Sequence, residues 1–173
     1  MTKPDLGRLG VWTWLEAYAH GDCIALAQRL EQQGYGALWV PEAFGRDPFV
    51  LLTSLSRETT KLKLATGIAN IYARDAMAMN AARLSLQEIS SGRLVLGLGV
   101  SHAEIVTPMR HHDYGKPVAT MRRYVEAMNG ASYGAPRPAQ PVPVILAALR
   151  EKMLGLAAEI ADGAHPYFVT PEH

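Results

Sequence analysis

The chain has 173 residues, a formal net charge of +1, 49% hydrophobic residues and 19% charged ones. That balance fits a globular domain able to bury a core and gives no electrostatic basis for binding nucleic acid or an anionic membrane. No apolar run reaches transmembrane length, and the start Met1-Thr-Lys-Pro-Asp5 lacks the apolar core of a secretion signal; the single cysteine, Cys23, suits a reducing cytoplasm, where packing is its expected role.

Residues 9–14 form the first strand-like run. Asp22 is the expected cap of a helix reaching about residue 33, with Cys23, Leu26, Ala27 and Leu30 at helical spacing and Gly34 as its stop. Residues 37–42 read as a second strand that delivers the carboxylate of Glu42 just past its end. Asp47 and Pro48 supply a capping acid and a first-turn proline for a helix whose Leu51, Leu52 and Leu55 face inward. A third strand spans residues 62–72, and Asp75 begins a helix to about residue 89, closed by Gly92.

The strongest strand signal is Arg93-Leu-Val-Leu-Gly-Leu-Gly-Val-Ser-His102. A near-continuous apolar run suits a parallel strand covered on both faces. Gly97 and Gly99 share one side of it, so another group can approach the backbone there. A polar, histidine-containing loop is expected over residues 102–116. Pro117 then starts a helix through about residue 128, with Val118, Met121, Val125 and Met128 on one side. The proline-rich stretch 130–141 is irregular. Residues 142–149 form a fifth strand, 150–161 a helix with Leu154, Ala157 and Ile160 inward, and 164–169 a sixth strand. Met77, Met79 and Met153 are read as packing residues.

Strand and helix alternate at short spacing, which argues for a parallel α/β sheet with right-handed crossovers, either an open doubly wound sheet or a (β/α) barrel. A dinucleotide fingerprint requires G-x-G-x-x-G directly after the first strand, and Gly7-Arg-Leu-Gly10 does not supply it.

Four segments together resemble the luciferase-like monooxygenase superfamily, closest to its actinobacterial branch of oxidoreductases that use the deazaflavin coenzyme F420. They are Trp39-Val-Pro-Glu-Ala-Phe-Gly-Arg46, Ala65-Thr-Gly-Ile-Ala-Asn-Ile-Tyr-Ala-Arg74, the run from Ser91 to His102, and Ala161-Asp-Gly-Ala-His-Pro-Tyr-Phe-Val-Thr-Pro-Glu172. The resemblance implies a TIM-type (β/α)8 barrel with its cofactor at the C-terminal rim of the strands. About six βα units are present, so residues 1–173 are expected to be a single incomplete barrel domain lacking the C-terminal strands, either a fragment or a short member. An open arc of that kind exposes two sheet edges and the barrel interior.

The resemblance also assigns roles. Gly67-Ile68 matches a non-prolyl cis peptide whose bulge lies behind the deazaflavin ring. Asn70 is placed to hydrogen-bond the pyrimidine edge, and Glu42 lies near the cofactor. His102 matches a strand-end proton donor; an imidazole can serve as acid or base near neutral pH. Val100 and Ser101 line the cofactor's flank. Ala147, Ala148, Leu149 and Arg150 match a phosphate-binding segment at a helix start, where backbone N–H groups favour anions. Arg150 replaces a frequent glycine and adds charge. Relatives with His directly after the acid have a base there; here it is Ala43.

Ser101 has no recognisable nucleophile-elbow context. His111-His112-Asp113 lacks the spacing of a metal site, and no metal is expected. The implied function is hydride transfer between a small organic substrate and F420 by a cytoplasmic homodimer, paired through helices near the second and third strands. The alternatives are an FMN-dependent monooxygenase of the same fold and a non-catalytic fragment or interaction subunit.

Overall fold

A computed structural model describes residues 5–170. The start at Met1 and the last two residues of the fourth matching segment, Pro171 and Glu172, lie outside them. Among the described residues the order is β1 (Gly10–Trp12), α1 (His20–Gln32), β2 (Ala37–Val40), α2 (Pro48–Glu58), β3 (Lys63–Thr66), β4 (Ala69–Asn70), α3 (Ala76–Ile89), β5 (Leu94–Gly99), α4 (Ala103–Arg110), α5 (Pro117–Gly130), β6 (Val144–Ala147), α6 (Glu151–Ile160) and β7 (Gly163–His165).

All pairings are parallel, in the order β1-β2-β3-β5-β6-β7, with β4 continuing the β3 position against β5. Helices cover one face of this sheet, which forms part of a barrel wall. The larger core lies between sheet and helices. Leu38, Leu64, Leu94, Leu96, Leu98 and Leu146 point into it and meet Leu52, Leu55, Met79, Met121 and Leu156. Alternation sends the intervening residues to the concave face, where Ala65, Val95 and Ile145 form a smaller buried cluster against Leu6 and Trp39. No described helix is long and apolar enough to cross a membrane.

The local signals explain most boundaries. Asp47 Oδ1 accepts hydrogen bonds from the N–H groups of Phe49 (2.8 Å) and Val50 (3.1 Å), with Pro48 opening α2. Asp75 caps α3 through the Ala78 N–H at 2.8 Å. Gly34, at φ +81°, ends α1, and Tyr35 N–H donates back to the Leu30 carbonyl. Cys23 is fully buried, as expected.

Five expectations are corrected. Asp22 does not cap α1; the helix starts three residues earlier, after Ala19, leaving Asp22 in its first turn near the positive end of the dipole. The third strand is interrupted by the Gly67–Ile68 peptide, which is cis, and resumes as β4. The expected loop after His102 contains α4, because the His102 carbonyl accepts from Ile105 and Val106 and the Val106 side chain is buried. The inward residues of α6 are Met153, Leu156 and Ala157, with Leu154 and Ile160 only partly covered. Met77 is exposed on α3 rather than packed.

Candidate functional site

Because every strand runs the same way, their carboxyl ends lie along one rim, where polar groups from separate segments can converge. The glycines of β5 shape its floor. A Cβ on Gly97 would lie 2.1 Å from the Thr66 carbonyl oxygen, and one on Gly99 would lie 2.5 Å from Ile68 Cδ1. The close approach expected there is thus made by the Thr66–Ile68 segment, and the Ile68 side chain lies over β5. Thr66 Oγ1 fastens the crossing by donating to the Gly97 carbonyl at 2.7 Å while accepting from the Gly97 N–H at 2.9 Å. From the first strand, Trp12 Nε1–H donates to the Gly67 carbonyl, and the indole packs where a Gly67 Cβ would be.

Glu42 and Asn70 come together. Glu42 Oε2 accepts from the Asn70 N–H at 2.8 Å and from Arg74 at 2.9 Å, while Oε1 accepts from Arg74 at 2.6 Å. Arg74 also reaches Asp47 Oδ2 at 2.8 Å, and its guanidinium stacks 4.8 Å from the Phe49 ring centre. Burial disfavours the Arg74 charge, but Glu42 and Asp47 outweigh it and hold the guanidinium above its ordinary basicity. The Asn70 side chain is buried, and its Oδ1 accepts from the Tyr72 N–H at 2.9 Å, fixing a turn.

Above β5, Val100 is half-buried and Ser101 adopts a left-handed conformation, φ +56°. The Tyr114 hydroxyl donates to the Ser101 carbonyl at 3.0 Å, and the Tyr72 hydroxyl donates to the Tyr114 carbonyl. These rings stack with centres 5.9 Å apart. Burial raises the pKa of both phenols above the ordinary value, so they remain donors. His102 is exposed at the start of α4, with no side-chain capping bond. The far end of α4 reaches the loop after β2, where Arg110 donates to the Ala43 carbonyl at 3.3 Å.

On the other flank, Ala147 faces the concavity near Gly99. Ala148 is buried and its N–H donates to the His165 carbonyl at 3.3 Å, while Leu149 and Arg150 are exposed before α6. His111, His112 and Asp113 follow α4, and the His112 ring lies 5.9 Å from that of Tyr72; among the described residues no three potential ligands cluster to hold a metal.

Three residues that sequence reasoning missed contribute here. Arg74 closes the second matching segment, but it and Tyr114 act through long-range contacts that no local pattern displays. His165 ends β7 with its ring 4.9 Å from that of Trp39, and its Nδ1 is buried with no hydrogen-bond partner among the described residues. Only the occurrence of His165 inside the fourth matching segment could have drawn attention to it. A floor in which β5 itself contributes no side chains and the apolar Ile68 lies across it, together with polar groups at its margins, fits a flat ring system of the flavin or deazaflavin type.

Similarity to known proteins agrees with this geometry. Residues 8–173 match the family described as Luciferase-like monooxygenase. The 5,10-methylenetetrahydromethanopterin reductase of Methanolobus tindarius is 32% identical over 79% of this chain and 47% of its own length. Rv3520c of Mycobacterium tuberculosis, named provisionally as a coenzyme F420-dependent oxidoreductase, is 28% identical over 95% of the chain and 55% of its own. Among solved structures, the F420-dependent tetrahydromethanopterin reductase of Methanopyrus kandleri superposes with a TM-score of 0.76 at 20% identity, over 91% of this chain and 55% of that one. An F420-dependent secondary alcohol dehydrogenase gives 0.80 at 17%, over 95% and 59%. The chain spans about half the length of the curated relatives it matches. Its parallel sheet is the corresponding portion of their barrel, and the chain belongs to the luciferase-like monooxygenase family.

Proposed function

We propose that this chain carries the cofactor-binding rim of an oxidoreductase that moves a hydride between a small organic substrate and the deazaflavin F420. The observation that carries the reading is the floor at Gly97 and Gly99, where Ile68 crosses β5 and no side chain rises from the strand. The name of Rv3520c supports the choice of cofactor. When bound, the deazaflavin supplies the hydride acceptor or donor.

The chain's own residues would position it. Gly67 and Ile68 back the ring, and the Asn70 amide meets its pyrimidine edge. Glu42 acts through Asn70, since both carboxylate oxygens are engaged by Arg74 and the Asn70 N–H. Val100 and Ser101 flank the ring. With the Ala148 N–H already given to the His165 carbonyl, the exposed turn of Leu149 and Arg150 that follows Ala147 and Ala148 receives the phosphate-bearing tail, and Arg150 adds charge. His102, exposed and without a capping bond, exchanges a proton with the substrate.

Fluorescence titration of the chain with F420 and with FMN tests the cofactor. Micromolar affinity for F420 is expected. Micromolar FMN binding with no response to F420 would transfer the reading to an FMN-dependent monooxygenase, a monooxygenase being what the family's description names. We further propose a homodimer formed through α2 and α3, where Val50 and Ile89 are exposed beside an apolar groove containing Phe49, Ala82 and Leu86. Sedimentation of the protein and its Val50→Glu variant tests this; the variant is expected to be monomeric.

A further inference from the structure

The rim holds a second polar group facing the floor that the roles above leave unused. Asn70 pairs in register with Gly99, and Ala147 pairs with His165. The β5–β6 register, Leu98 against Leu146, brings Gly99 level with Ala147. Asn70, Gly99, Ala147 and His165 therefore occupy successive strand positions on one rung of the concave face. Its middle carries the two smallest side chains, and its ends carry an amide and an imidazole. Three strand spacings separate the amide from the imidazole by about 14 Å along the sheet, the span of three fused rings resting on the Ile68 side chain, which covers Gly99, with a hydrogen bond at each end.

The imidazole is unpaired in a setting that should pair it. Its ring meets Trp39 at 4.9 Å with an interplanar angle of 68°, and its Nδ1 is buried with no hydrogen-bond partner among the described residues. The neighbouring backbone bond uses the His165 carbonyl and leaves the side chain untouched. Buried polar nitrogens are almost always bonded, so an orphan at the end of this rung marks a contact that a ligand would supply once the imidazole turns toward it from Trp39. Burial holds the imidazole below its ordinary pKa. The ring is thus neutral at pH 7, with one nitrogen that donates and one that accepts.

We propose that His165 hydrogen-bonds the hydroxyl-bearing end of a deazaflavin ring and so determines the choice of F420 over FMN. This rests on the reading that the rim binds such a ring with its pyrimidine edge toward Asn70. The two candidate rings share the pyrimidinedione and differ in one central ring atom, carbon in the deazaflavin and nitrogen in FMN, and at the opposite end, the part that His165 would meet. The deazaflavin carries a hydroxyl there and FMN carries methyl groups. A neutral imidazole pairs with the first and is left without a partner by the second, a penalty that hydrophobic packing does not remove.

The test titrates the full chain and its His165→Leu and His165→Gln variants separately with F420 and with FMN, following indole fluorescence. The Leu variant is expected to lose tenfold or more in F420 affinity with FMN affinity unchanged or improved, and Gln to restore part of the F420 affinity. On the unmodified protein, the imidazole nitrogen resonances of His165 are expected to shift on saturation with F420 and much less with FMN, a readout independent of how the variants fold. Equal losses for both cofactors, an unchanged F420 affinity in the Leu variant, or resonances unmoved by F420 would each overturn the proposal while leaving F420 binding itself established. A wild-type chain that binds neither cofactor, or FMN alone, would instead remove the reading on which the proposal rests, and the proposal with it.

Discussion

At the scale of single residues, the site depends on charges that are buried only because they are paired. Glu42 is 7% exposed and Arg74 13%, so removing the guanidinium would strand a carboxylate among backbone and apolar neighbours. Arg74→Met is expected to cost about 3 kcal/mol of stability, read as a lowered urea midpoint, and to release the Asn70 turn. Glu42→Gln should cost less, because the amide oxygen can still accept from Asn70. A second carboxylate gives a pH signature. Burial tends to raise the Glu31 pKa, but hydrogen bonds from the N–H groups of Lys61, Leu62 and Thr60, with the Thr60 hydroxyl, outweigh it and leave the group below its ordinary value. The folded protein therefore holds this proton less tightly than the unfolded chain. The stabilisation is complete above the unfolded glutamate value of about 4.3 and is lost as pH falls through the lower folded value. Urea unfolding of wild type and Glu31→Gln should differ at pH 7 and converge toward pH 3; a constant difference would contradict it.

At the scale of elements, the most informative strand is β5, whose glycines carry opposite tolerances. The neighbour of a Gly97 Cβ is a backbone oxygen at 2.1 Å, which cannot move without breaking the β3–β5 crossing, whereas Gly99 would meet the end of the Ile68 side chain at 2.5 Å. Gly97→Ala is expected to destabilise by several kcal/mol, on the order of the upper range for overpacking or more. Gly99→Ala should fold with a smaller loss while weakening cofactor binding; thermal melts and titrations of both variants separate the two effects. These glycines were legible in the sequence because strand alternation puts them on one side, and the acid caps at Asp47 and Asp75 were legible because capping is local. What approached the glycines was not legible, since Thr66 and Ile68 arrive from another strand. Helix α4 was hidden because Pro108 and a polar composition resemble a loop, while Val106 is the residue that anchors it to the core. The family resemblance pointed to a cis bond at Gly67–Ile68; periodicity alone left residues 62–72 as one unbroken strand. Tyr114 closes the turn over β5, so Tyr114→Phe should lose about 1 kcal/mol of stability and impair turnover more than cofactor affinity, because the bond it removes fixes Ser101 beside His102.

At the scale of the molecule, the sheet has two edges that are unpaired among the described residues, β1 and β7. The expectation of an open arc held, but the concave face is not left bare. Trp39 from β2 reaches His165 at the end of β7, and Trp12 from β1 meets Tyr167 with ring centres 5.7 Å apart. The arc is curved enough for its first and last strands to meet through side chains across the space that backbone hydrogen bonds leave open. These contacts join residues more than a hundred positions apart in the chain, whereas the strand-to-strand ladders join near neighbours in the βα order. Closure of so long a loop carries a large entropy cost and relies on a few aromatic pairs. The mouth should therefore be a separate, weaker cooperative unit that opens below the global unfolding free energy. Amide exchange at β7 is expected to be faster than at β5, and indole fluorescence should change at lower urea than far-ultraviolet ellipticity. The aromatic pairs thus make the chain's own tryptophans a gauge of whether the two ends of the arc are joined, readable before any ligand is added.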